Sequence, residues 1–146
     1  MSCSLSDIKL FRDLESDASL AEVLISYGTI LRERGEVTAA QETLVDALQL
    51  TLRIGPRLMV VAALEPLSRV IIAQADTELT IRLLSAASHL RSQMGTPIRP
   101  ADQSGVEQAL ADARSSMTAE AFATVWLEGQ SLPLTQIVSK LNLHAE

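Results

Sequence analysis

One cysteine, Cys3, is all this chain has. It cannot form an internal disulfide, so nothing demands an oxidising compartment and a reduced cytoplasm is the expected setting. Aromatic residues make up 3% of the 146 positions, which leaves Leu, Ile, Val and Ala to build the core, as suits packed helices. Lysine occurs only as Lys9 and Lys140, the arginines are scattered singly, and the net charge is −6. An acidic chain without a basic cluster is not expected to contact nucleic acid directly. The most apolar run, Leu58 to Ala75, carries Glu65, Pro66 and Arg69, so it is too short and too charged for a membrane span. Met1 to Leu14 holds Asp7, Lys9, Arg12 and Asp13, which is not the pattern of a signal peptide.

Catalytic signatures are missing as well. No phosphate-binding G-x-x-x-x-G-K-[ST], no H-E-x-x-H, no C-x-x-C and no G-x-S-x-G occurs, so neither ATP hydrolysis nor another intrinsic enzymatic activity is expected. Of the two histidines, His89 reads as a half-buried structural residue and His144 as part of a solvated tail. Asp13, Glu15 and Asp17 form the densest acidic group, and their simplest reading is a solvent-facing helix end. No catalytic residue, metal ligand or cofactor follows from this sequence.

What the sequence does have is helical periodicity. Hydrophobic residues reach 47% with a mean hydropathy of +0.21, rich enough to leave apolar surface for a partner. From Leu24 to Ala47, apolar residues recur at three- and four-residue offsets on either side of Gly35, the spacing of two helices joined by a left-handed glycine turn. Gly28 and Ala40 are the small residues expected where the two helices touch. The spacing predicts helices over 4–14, 19–34, 36–54, 57–74, 77–93, 102–116, 119–128 and 134–142. Residues 15–19 read as a polar turn, with Ser19 and Glu22 as a capping box for the second helix. Gly55-Pro56 stops the third. Pro66 should kink or break the fourth, which is apolar almost all round and therefore expected to be buried on most sides. Asp76 and Thr118 are expected caps, residues 94–100 a linker, and Gly129 the end of the seventh helix. Phe122 and Trp126 should bury against the fifth and sixth.

The hairpin recurs at a constant offset of 40 residues: Leu24 with Leu64, Gly35 with Ala75, Ala47 with Ala87. A helix–turn–helix period of this order marks a solenoid. The spacing inside each repeat resembles the tetratricopeptide pattern, whose usual period is about 34 residues. The expected fold is therefore all-α: tetratricopeptide-like antiparallel hairpins stacked as a short right-handed superhelix of seven or eight helices. Residues 1–146 form one domain, with hairpins over 4–94 and capping helices over 95–146.

A more specific resemblance is carried by Leu10 to Leu14 (L-F-R-x-L), Ala21 to Gly28 (A-x-x-L-x-x-x-G) and Ala40 to Leu48 (A-x-x-x-L-x-x-A-L). Arg82 to Arg91 (R-L-L-x-A-A-x-x-L-R), Met94 to Pro100 (M-G-T-P-x-x-P) and Trp126 to Gly129 follow in order. These motifs are similar to the repeats in the C-terminal region of large multidomain bacterial transcriptional regulators, the LuxR-type and antibiotic-regulatory-type ATP-dependent activators. The resemblance implies a regulatory role and attachment to other domains. In such proteins the motif at Leu10 to Leu14 lies in the second helix of a hairpin, so the chain is expected to be a fragment, or a natural short form, of a longer array.

Two functions from different classes fit. The first is an interaction module. Projecting tetratricopeptide geometry, Glu22, Ile25, Ser26, Thr29 and Arg32 face a groove from the first repeat, and Glu65, Arg69 and Ile72 from the second. The partner is a protein or peptide, or a neighbouring domain of the same longer chain. A groove that clamps a peptide's C-terminal carboxylate is set aside, because it needs Lys and Asn where this one offers Glu, Ile and Thr. The second is a small-molecule sensor with a pocket between helices, lined by residues such as Met59, Val60 and Ile72. A homodimer is expected in addition, through Leu5, Ile8 and Phe11 or the apolar surface of the fourth helix.

Overall fold

The computed structural model describes residues 5–54, 56–73, 76–98, 100–131, 133, 136, 137 and 139, with the side chains of 5–15, 101 and 102 left out. Among the described residues the chain is all-helical, with six helices and no strand: α1 (Leu5–Glu33), α2 (Val37–Ile54), α3 (Arg57–Ala73), α4 (Thr77–Met94), α5 (Pro100–Ser115) and α6 (Ala119–Ser131). None of these helices is long and apolar enough to cross a membrane.

The connections follow local chemistry. Gly35 takes φ 81°, a left-handed conformation open to glycine at no steric cost. There Glu36 N–H returns to Leu31 C=O at 2.9 Å. Gly95 closes α4 in the same way at φ 66°, with its own N–H and that of Thr96 returning to the last turn. Asp76 caps α4 by accepting from Leu79 N–H at 3.3 Å, and Thr118 caps α6 by accepting from Ala121 N–H at 3.1 Å. The Gly55 stop and the Ala75 turn lie outside the described residues.

Three expectations are corrected, and a fourth, that Pro66 kinks or breaks its helix, is narrowed. The separate helices over 4–14 and 19–34 are one continuous helix, α1. Glu15 to Ser19 is polar but holds no Gly or Pro, and polarity alone does not break a helix; Ser19 is thus mid-helix rather than a cap. This lowers the helix count, and the 134–142 helix is described only at Gln136, Ile137 and Ser139. Pro66 does not interrupt α3. It removes one ladder donor, that for the Ala62 carbonyl, and Ala62 sits at the exposed surface, where water can replace it. Gly129 does not end α6 but is buried within it. His89 is exposed rather than half-buried.

Packing follows chain order. α1 lies on α2, α2 on α3 and α3 on α4, with α6 on α4 and α5 against both α3 and α4. α3 is the most enclosed helix: Val60, Val61, Ala63, Leu64, Leu67, Val70 and Ile71 are all buried. Most of its apolar circumference is taken up by the core; of its large apolar residues Leu58 is exposed, and Met59 and Ile72 are half-buried. Three of the 40-residue equivalences share a burial state: Ala40 and Thr80, Leu44 and Leu84, and Ala47 and Ala87 are all buried, whereas Leu24 is half-buried and Leu64 buried.

Gly28 faces Leu44 of α2. A Cβ at Gly28 would lie 2.5 Å from Leu44 Cγ, and Leu44 is fully buried. Gly28→Leu is therefore expected to cost about 1–3 kcal/mol by overpacking. Thermal melting checks this, and an unchanged Tm would remove the hairpin contact.

The capping region is partly as expected. Phe122 and Trp126 stack at 5.9 Å, and Arg114 lies 4.8 Å over the Phe122 ring. Trp126 reaches clusters that include Ile81, Leu84 and Val106, on α4 and α5. Both aromatic residues are only half-buried, because the outer side of α6 has no helix over it among the described residues.

Candidate functional site

The site is built where α1, α3 and the turn after α4 meet. Along α1, Glu22, Ile25, Ser26, Thr29 and Ile30 recur at three- and four-residue steps, which places them on one side of the helix. Along α3, Leu58, Met59, Ala62, Glu65, Pro66 and Arg69 do the same. Together with Arg91, Thr96, Pro97 and Val106 they enclose a cleft of about 710 Å3.

Six of the eight groove positions projected from the sequence line this cleft: Glu22, Ile25, Ser26, Thr29, Glu65 and Arg69. Arg32 continues the same side of α1, one turn beyond Thr29. Ile72 lies elsewhere, packed with the clusters around Ile81 and Leu84. Leu5, Ile8 and Phe11 are in the helical part of α1, and their side chains lie outside the described residues.

Glu65 is not available as a free groove carboxylate. It is buried and held by Arg91, with Nε to Oε2 and Nη2 to Oε1 both at 2.7 Å. This paired geometry is among the stronger charge-assisted contacts. Arg91 also donates through Nη1 to the carbonyls of Pro97 at 3.0 Å and Thr96 at 3.4 Å. One side chain thus ties α3, α4 and the Gly95–Ile98 turn into the wall of the cleft. Sequence reasoning placed Arg91 only as the last letter of a motif. The signal for its role was the apolar setting of Glu65, since a carboxylate in a helix apolar on all sides needs a partner.

Arg69 lines the opposite end of the cleft, and Arg32, just beyond the lining on α1, is close enough to feel its charge. Burial first, and the nearby Arg69 charge second, lower the Arg32 pKa, with Glu33 acting weakly the other way. Arg32 Nε is buried without a hydrogen-bond partner. Arg69 rests on α5 at Gly105, where a Cβ would lie 2.7 Å from its Cζ and 2.8 Å from its Nη1. The absence of a side chain at Gly105 is what lets the guanidinium sit there.

The walls are mixed. Ile25, Met59, Pro66 and Val106 give apolar surface, while Ser26, Thr29 and Thr96 give neutral polar groups. Such a surface suits reversible binding of an amphipathic partner. Among the described residues there is no group of three or more His, Cys, Asp or Glu side chains placed to hold a metal ion. Comparison with protein-family models, with curated proteins and with solved structures returns no match for this chain.

Proposed function

We propose that this chain is a non-enzymatic interaction and oligomerisation module of tetratricopeptide-like stacked hairpins, serving a multidomain bacterial transcriptional regulator in the cytoplasm. The observation that supports this reading most is a row of large apolar residues left uncovered on α1. Leu20, Val23, Tyr27 and Ile30 are between 46% and 62% exposed. Their steps of three, four and three residues are the spacing of a helix seam. Scattered apolar residues at a surface are ordinary, whereas an aligned row marks a docking face. The regulatory assignment comes from the motif resemblance alone.

The occupant proposed for this face is α1 of a second copy. A shared seam gives an isologous pair, and burying it is worth roughly 25 cal/mol per Å2 before association costs. Sedimentation of the wild type is expected to show a dimer at high concentration, and Val23→Asp/Tyr27→Asp a monomer. A wild type that stays monomeric removes the dimer. A dimer that survives this pair but is lost in Ile8→Asp/Phe11→Asp moves the interface to the start of α1.

A second reading is favoured by one feature of the cleft. The cleft volume of about 710 Å3 lies within the range of roughly 300–1,000 Å3 usual for small-molecule sites. On this reading the module is a sensor whose cleft takes a small ligand.

A further inference from the structure

We propose that Arg32 and Arg69 form an anion-binding end of the cleft, and that its occupant is a small amphipathic acid, a carboxylate or phosphate head on an apolar body. This rests on the second reading above, that the cleft takes a small molecule.

The charges around the cleft are unequal in their pairing. Arg91 is neutralised by Glu65. Away from it, Arg53 meets Asp17, and Arg82 meets Glu78 and Glu128. Among the described residues no carboxylate lies within ion-pair distance of Arg32 or Arg69. Arg34, Arg57 and Arg114 also lack one, but they are exposed and water solvates them. Arg32 and Arg69 are partly buried and face each other's charge. Two partly desolvated cations near each other are costly; Glu33 offsets this only as the smallest of the three influences on Arg32, and an anion between the arginines relieves the rest. Arg32 Nε–H is buried without a hydrogen-bond partner, a donor that a turn of the side chain would offer to the anion. Gly105 adds to the case, since the Arg69 guanidinium is seated on its bare backbone.

The rest of the cleft defines the body of the ligand. Glu22, exposed at the cleft's edge, lies ten residues before Arg32, about 15 Å away along the helix. An anionic head is therefore drawn toward the arginines and away from Glu22. Between them, Ile25, Met59, Pro66 and Val106 offer an apolar track.

The test titrates 15N-labelled protein with octanoate, octyl phosphate and octan-1-ol at neutral pH and low salt. Both anions are expected to bind at least about tenfold more tightly than the alcohol, with the margin shrinking as salt is added. The Arg32 Nε–H resonance should shift with the anions and not with octanol. The two anions ranked against each other identify the preferred head group. Arg32→Gln and Arg69→Gln should each bring octanoate to within about twofold of octanol. The wild-type Arg32 resonance decides the matter even where a variant does not fold. Equal binding of octanol and both anions, with that resonance unmoved, overturns the anion site and leaves an apolar cleft. Binding of none of the three overturns the anion site and the small-molecule reading together.

Discussion

Arg91→Met is expected to destabilise the fold by about 3–5 kcal/mol, because it strands a buried carboxylate. Glu65 and Arg91 are 8% and 10% exposed at their side chains, so water cannot take over the missing partner. The loss also frees the Thr96 and Pro97 carbonyls, loosening the turn that leads from α4 to α5. Against a total stability of about 5–15 kcal/mol for a domain of this kind, such a change is a large fraction. The double variant Glu65→Leu/Arg91→Met should recover most of it, since removing both charges leaves nothing unpaired. Denaturant midpoints of the two variants check this. A single variant as stable as the wild type would mean that the pair is screened by solvent, and a double variant no better than the single one would assign the cost to the turn.

Gly129→Leu should be next in size, about 3 kcal/mol or more, through overpacking against backbone. A Cβ at position 129 would fall 2.6 Å from the Arg82 carbonyl oxygen and 2.9 Å from Arg82 Cα. Leu44, the neighbour of Gly28, is a side chain and can turn aside; the Arg82 backbone is part of α4 and cannot. The clash instead pushes α6 off α4. That separation breaks the bond from Ser85 Oγ–H to the Trp126 carbonyl and the pair in which Arg82 donates to Glu128 at 2.8 and 3.0 Å. Trp126 is the chain's one tryptophan, so its emission should move to the red in the variant while helical circular dichroism largely remains. Unchanged emission and Tm would show that α6 can dock without the close contact.

These two predictions rest on contacts between positions far apart in the chain, and they mark where the sequence ceased to be informative. Gly28 was legible as a contact residue, being a small residue set in an apolar stripe. Its partner was not, because Ala40 and Leu44 lie on the same side of α2 and only the relative slide of the two helices selects Leu44. Gly129 read as a terminator because glycine so often follows a helix. A glycine kept inside a helix for a neighbour's backbone looks identical until the neighbour is known. Ser19 with Glu22 read as a cap for the same reason: the pattern is local, and a helix that enters from residue 5 overrides it.

What the sequence determined by itself is the set of events that close over three or four residues. The left-handed turn at Gly35, the caps at Asp76 and Thr118, and the apolar sides of α2 and α3 are all of this kind. Six of the projected groove residues also fell on one cleft, since their spacing along α1 and α3 is a helical property. Tertiary structure alone decided that Glu65 is occupied by Arg91, that Ile72 turns to the clusters around Ile81 and Leu84, and that Arg32 feels the charge of Arg69. Helical periodicity tells which side of a helix a residue occupies, but which residue meets it is set by the slide and crossing of whole helices, a sum over many weak contacts that no short motif encodes.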